Sequence, residues 1–323
     1  MMGGITVAYS GVHQAYQLAL AAQELGELER FYTSLFATPG KWGGALKLIF
    51  GADALHNRFV AGLPKDRIVE NPWPLGAHRS RAKFGFAARD DWSKANTRFD
   101  HWVAGELAAS HASLFVGVET CAAASFAAAR ARGMINVLDC PGIDSELLNQ
   151  LALAAASELE LTTAADPDNA TIRAMKAREL QLADAILVCS GLQSRRLREI
   201  TEPPNGIHVV PLWVETNFWF PARHCESTGH RPLRVLYAGK INLRKGVPYL
   251  LRAAAQCGGK IDLTLVGNLD DELKPLFKNN DNGLRVLPPC GKTRLRELYQ
   301  QNDLLVLPSL GDAFGFVALE AMA

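Results

Sequence analysis

The chain has 323 residues, 48% hydrophobic and 21% charged, with a formal net charge of +1. That length suits about two domains with sizeable cores, and the near-neutral balance excludes a chain organised around a strong field for nucleic acid or a membrane. Its six cysteines are scattered, no pair has metal-ligand spacing, and the set reads as reduced thiols of a cytosolic protein.

The N-terminal MMGGITVAYSGVHQ has neither a basic region nor a long apolar core, so it does not read as a signal peptide. Residues 5–10 (ITVAYS) predict a strand, Gly11-Val12-His13 a turn, and residues 14–25 a helix closed by Gly26. Strand, glycine-bearing turn and helix open a doubly wound α/β domain. Residues 31 to 100 do not resolve into elements; a basic cluster there, Arg79, Arg81 and Lys83, reads more readily as solvated surface than as a contact with an anionic one. The alanine-rich run 103–131 is broken by Glu106, His111 and Glu119, against a membrane span. Strand 113–118, helix 121–132 and strand 135–138 follow, the last leading into Asp139-Cys140-Pro141-Gly142. Helices are expected over 146–161 and 171–182, then strand 185–189, helix 192–199 capped by Ser190, and strand 207–210.

Residues 222–231 are polar and aperiodic, and read as a linker between domains 1–221 and 222–323. The alternation restarts with strand 234–238, loop 239–246 and helix 248–256. Strands 261–266 and 284–287, helix 292–300 and strand 304–307 come next. The last stretch, PSLGDAFGFVALEAMA, turns through Gly311, Asp312 and Gly315 into a helix carrying Glu320. Two doubly wound domains are therefore expected, with ligands beyond the carboxyl ends of their strands. All the candidate loops lie at such ends: 11–13, 139–142, 239–246, 267–270 and 311–315. Facing domains would set the first two opposite the rest.

The loop from Gly239 to Gly246 carries Lys240, Arg244 and Lys245. Cations beside a helix N-terminus suit a diphosphate, because unsatisfied N–H groups add to the field; alone, the loop reads equally as a solvated basic turn. In the last stretch the N–H groups of Ala313, Phe314 and Gly315 are expected in the first helical turn, free to bind a ligand. Asp312 can accept from hydroxyls, and Glu320 lies five residues into the helix, roughly 7–8 Å along. Phe316, Leu319 and Ala323 form an apolar stripe expected to dock on the sheet. A capping Asp and an exposed helical Glu would give the same pattern. His13 and Asp139 could reach a ligand or simply sit in turns. Gly291-Lys292-Thr293 lacks the upstream glycine of a Walker loop, and no G-x-G-x-x-G follows the first strand. His224, Cys225 and His230 lack a fourth ligand for a metal.

Several of these stretches resemble glycosyltransferase family 4, which has the GT-B fold. Gly239-Lys240…Lys245-Gly246 looks like its G-R-L-x-x-x-K-G loop, with Lys240 in the arginine place. Pro211…Val214-Glu215…Trp219…Pro221 looks like P-x-G-V-D-x-x-x-F-x-P. Leu182-Ala183-Asp184…Ser190 is similar to A-D-x-[IV]-x-x-x-S. Residues 303–323 look like D-x-x-x-x-P-S-x-x-E-x-F-G-x-x-x-x-E-A-M-A, with Asp312 for the first glutamate. The likeness covers about the second half; the first half shares only its strand–loop–helix opening and the Asp139 loop.

The resemblance implies sugar transfer from a nucleotide-diphosphate sugar with retention, of hexosyltransferase type, without a metal or other cofactor. Lys240 and Lys245 would neutralise the leaving diphosphate, and Asp312 with the N–H groups after it would hold the donor sugar. Glu320 would take the ribose hydroxyls, and Gly267 and the turn at Gly291 would lie near the nucleoside. Gly11, His13 and Asp139 would meet the transferred sugar or acceptor, although the family often has a histidine near Asp139. The acceptor would be a glycan or glycolipid of a surface polysaccharide pathway, the site cytoplasmic, with a peripheral contact at the inner membrane face. A family member would continue past Ala323, so the second domain is expected to be incomplete. The rival readings are an inactive, truncated nucleotide-sugar binder and a GT-B-like nucleotide-sugar epimerase.

Overall fold

The computed structural model describes residues 3–12, 14–39, 55, 58–83, 91–161, 170–222, 231–277 and 283–323, with residues 82 and 83 as backbone only. His13, Lys83 and most of the expected linker (223–230) lie outside the described side chains. The chain divides into two compact units.

Unit 1 comprises Met1–Gly142 and Asp168–Val210. Its strands are β1 (Ile5–Tyr9), β2 (Leu28–Thr33), β3 (Ile68–Glu70), β4 (Leu114–Val118), β5 (Ile135–Cys140), β6 (Ala185–Val188) and β7 (Ile207–Val209). They form a parallel sheet in the order β3-β2-β1-β4-β5-β6-β7. Helices α1 (Ala15–Glu24), α2 (Trp73–Lys83), α3 (Asp91–Glu106), α4 (Ala123–Ala131), α6 (Ala170–Leu182) and α7 (Gly191–Arg198) belong with it. One face packs Tyr16 and Ala19 of α1 on Val7, Phe31 and Val116. The other packs Phe99, Val103 and Phe126 on Phe115 and Leu138. Burial on both faces explains the near-continuous apolar strands. The stretch that resisted sequence reading holds β2, β3, α2 and α3. Its strand β2 (LERFYT) has two charged residues at its start, which masks its period.

Unit 2 is Ile143–Pro167 with Pro211–Ala323. Its parallel sheet has the order β10-β9-β8-β11, where β8 is Leu233–Ala238, β9 Ile261–Val266, β10 Leu284–Leu287 and β11 Leu304–Leu305. Helices α5 (Ser145–Leu159), α8 (Val247–Gln256), α9 (Lys292–Gln301) and α10 (Phe316–Met322) complete it. The division therefore does not fall at residues 221/222. Helix α5 leaves the first half of the sequence to join the second unit, because Ala155, Ala156 and Leu159 pack on Leu243, with Tyr249 and Leu310 alongside. Tyr249 also donates to Glu158 at 2.8 Å. Segment 211–221 belongs there too: Trp219 is buried against Tyr299, and the Arg296 guanidinium lies between the rings of Phe218 and Phe220.

Candidate active site

In unit 2 the sheet order reverses between β8 and β11, the place where an open α/β sheet leaves a crevice beyond its strand ends. The loop after β8 and the loop after β11 meet there. Gly246 has φ +69°, and a Cβ on it would run into the Pro308 carbonyl oxygen, so only glycine allows this approach. Leu310 N–H donates to the Arg244 carbonyl at 3.0 Å. Gly267, φ +151°, is equally confined, since a Cβ there would meet the Gly239 carbonyl. This contact joins the turns after β8 and β9.

The loop 239–246 is shaped from within. Tyr237 Oη donates to the Lys240 carbonyl at 2.6 Å. Asn242 accepts from the Lys245 N–H at 3.0 Å and donates to Asp270 at 3.2 Å. Lys240 Nζ lies 3.0 Å from Asp270 Oδ2, and Lys245 Nζ pairs with Asp312 Oδ2. Thus Lys245 and Asp312, 67 residues apart, are in contact, and each of the two lysines has a carboxylate beside it. The first pair is solvated, with Lys240 54% exposed; the second is more enclosed, at 18% and 27%. Asp270, Asn242 and Tyr237 escaped the sequence reading as site-forming residues; the only signal was that Asp270 closes a loop at a strand end.

The last stretch departs from expectation in two respects. Gly315 is left-handed and precedes the helix, which starts at Phe316, so Ala313 and Phe314 lie in the preceding bend rather than in a first helical turn. The apolar stripe is only partly covered: α10 has no fully buried residue, Leu319 and Ala323 are half-buried, and Phe316 is 44% exposed. Glu320 instead accepts from Tyr299 Oη at 3.0 Å. Burial raises the Glu320 carboxyl above its ordinary range, while the Tyr299 hydrogen bond and Lys292 oppose the shift. Gly291 caps α9, ahead of Lys292.

In unit 1 the reversal lies between β1 and β4. A Cβ at Gly11 would lie 2.5 Å from the Tyr9 ring. Gln14, just beyond it, donates to Asp139 Oδ1 at 2.5 Å, so the turn after β1 is tied to the end of β5. Asp139 is 1% exposed, and its Oδ2 accepts no hydrogen bond among the described residues. Burial pushes its carboxyl up to about 7, against the Gln14 hydrogen bond and with a smaller upward push from Glu119. Thr120, after β4, has φ +70°, and Glu179 holds this turn by accepting from the N–H groups of Thr120 and Ala122 at 2.7 and 2.8 Å. Glu179 is fully buried and pushed up to about 8, chiefly by burial. Nothing in the local sequence singled it out. Among the described residues no group of three His, Cys, Asp or Glu could hold a metal ion, and no helix is long and apolar enough to cross a membrane.

Residues 226–323 match the family model described as "Glycosyl transferases group 1". The D-inositol 3-phosphate glycosyltransferase of Xylanimonas cellulosilytica is 30% identical over 136 residues, 36% of this chain and 33% of that protein. The Rhodococcus opacus protein of the same name is 28% identical over 191 residues, 53% of this chain and 43% of that one. The alignments therefore span a third to under half of these curated relatives. Among solved structures, sucrose-phosphate synthase from Thermosynechococcus elongatus superposes with a TM-score of 0.64 at 16% identity, covering 99% of this chain and 79% of that one. Anabaena HepE, solved in complex with UDP-glucose, gives 0.57 at 14%, covering 99% and 78%. The fold is that of the GT-B glycosyltransferases.

Proposed function

We propose that the protein transfers a sugar from a nucleotide-diphosphate sugar to an acceptor, retaining the anomeric configuration, as a family 4 glycosyltransferase. The observation that carries this reading is the meeting of Lys245, Asp312 and the Gly246 turn at the unit 2 switch point, within the stretch that matches the group 1 model. A diphosphate would take Lys245 and Lys240 from their carboxylates, and the two ammoniums would then stabilise charge as it develops on the leaving group. Asp312, released from Lys245, would accept from donor-sugar hydroxyls, with the backbone of Ala313, Phe314 and Gly315 beside it. Glu320 would take the ribose, and Gly239, Gly267 and Gly291 would line the nucleoside end. In unit 1, Gly11 and Asp139 would face the transferred sugar or the acceptor, a glycan or glycolipid precursor. The reaction as proposed needs no metal, and its place would be the cytoplasm or the inner membrane face.

Lys245→Ala and Glu320→Ala test the assignment by calorimetry with a panel of nucleoside diphosphates and their sugars. Each variant should weaken binding by about 30-fold or more, the scale of one lost charge-assisted contact. Wild-type affinity in both variants sinks the assignment. Binding by the wild-type protein without turnover on any acceptor favours an inactive nucleotide-sugar binder, and an isomerised sugar formed without acceptor favours an epimerase.

A further inference from the structure

Segment 211–221 joins the last residues of unit 1 in the chain to unit 2, and its aromatic residues had no part in the site as first read. They are fixed to α9. Trp219 is 4% exposed, and its ring lies 5.5 Å from that of Tyr299, inclined at 57°. Arg296 holds the Phe218 carbonyl at 3.0 Å, and Gln300 holds that of Phe220 at 2.8 Å. Tyr299 is therefore gripped on one side by the joining segment. On the other side its hydroxyl donates to Glu320 Oε2 at 3.0 Å.

We propose that Tyr299 is a positioning residue for Glu320: its hydroxyl fixes the carboxylate so that Oε1 is presented to a vicinal diol, and Trp219 fixes the Tyr299 ring. The proposal rests on the reading of unit 2 as a nucleotide-sugar site with Glu320 toward the ribose. A glutamate on a helix surface has several free rotors, and holding it in one orientation before the ligand arrives removes an ordering cost from binding. Glu320 Oε1 accepts no hydrogen bond among the described residues, whereas Oε2 has the tyrosine. One oxygen is thus engaged and the other is available. The donor also favours the ionised form of the carboxylate. Burial favours the proton on Glu320, and the groups opposing it are the Tyr299 hydroxyl and Lys292, both on α9. Burial and the nearby Glu320 raise the Tyr299 phenol in turn, so it stays a donor throughout the working range.

The test compares UDP, ADP and GDP with their 2′,3′-dideoxy analogues on the whole chain by calorimetry. The wild-type protein should prefer at least one ribose form by about tenfold or more, the worth of hydrogen bonds to a charged group. Tyr299→Phe should reduce that preference to about threefold or less while leaving the affinity for the dideoxy form unchanged. It should also move the acid limb of ribose-form binding to higher pH, because Glu320 loses the donor that favours its charge. Trp219→Leu, with the hydroxyl retained, should give an intermediate preference. A general loss of fold would lower both affinities together and shift no pH limb. If the wild-type protein prefers the ribose form and Tyr299→Phe keeps both the preference and the pH limb, the positioning role is refuted while the donor reading stands. If the wild-type protein binds none of the diphosphates, or binds without preference, the donor reading falls and the role of Tyr299 with it.

Discussion

Both units carry acids paired with cations near their sheets, but only unit 1 also has acids pushed up into the neutral range by burial. In unit 2, Asp312 and Asp270 each face a lysine at the carboxyl ends of the strands, and Asp303 faces Arg231 and Arg234 at the amino end of β11. In unit 1, Glu119 lies 3.6 Å from Lys176, but Asp139 and Glu179 are buried against an amide and backbone N–H groups, and both are pushed up into the neutral range. An acid paired with a cation keeps its charge, and a ligand can take its partner. A buried acid without a cation takes up a proton instead. Unit 2 is thus arranged for exchange with an anion, and unit 1 for hydrogen bonding near neutrality.

The difference can be broken at four places. The largest effect is expected at Gly246, whose replacement by Val adds a left-handed β-branched residue and drives it into Pro308; unit 2 should lose about 3 kcal/mol or more in urea unfolding. Asp303→Asn comes next. The native carboxylate accepts from Arg231 at 2.7 and 2.8 Å and from the Arg234 N–H at 2.8 Å. Its pKa is held well below the ordinary value, first by the Arg231 hydrogen bonds. The variant should cost about 2 kcal/mol, and the wild-type contribution, present above about pH 4, should fade as pH drops toward the depressed native value.

Asp139 should behave with the opposite sign. Its pKa rises from 3.8 to about 7 on folding, so the native state holds a proton that the unfolded chain has released. The contribution of Asp139 to stability should be fully present below about pH 4 and be lost as pH rises through about 7, and that of Glu179 should be lost through about 8. Asp139→Asn keeps the oxygen facing Gln14 and should raise stability at pH 8 by about 1–2 kcal/mol, with little change at pH 4. The smallest effect belongs to Lys240→Ala. Its pair with Asp270 is solvated, so thermal unfolding should change by less than about 0.5 kcal/mol, while diphosphate affinity, measured on the same sample, should fall severalfold. Equal losses of stability at Lys240 and Asp303 would erase the distinction between exchangeable and structural pairs.

Much of the local structure was legible. The spans of β9 and β10 match those read from their apolar runs, and Ser190 caps α7 by accepting from Gln193 N–H at 3.3 Å. Strand β2 was not legible, because Glu29 and Arg30 followed by two buried aromatics give neither alternation nor a continuous apolar run. The start of α10 was misplaced: residues 313–315 read as its first turn, but the left-handed Gly315 closes a bend before the helix.

The sequence alone determined that glycine-bearing loops follow apolar strands in both halves, that one of them carries three cations, and that another carries an acid with a second acid in the helix after it. Those features are local, set by propensity, period and turn chemistry. Only the tertiary structure decided that β8 and β11 are neighbours, so that Lys245 meets Asp312, and that α5 packs with the second unit rather than the first. It also decided that Asp139 is buried with one oxygen unengaged and that Tyr299 holds Glu320. Such pairings depend on sheet order and on which apolar face finds which partner. These are long-range packing choices that no window of sequence contains.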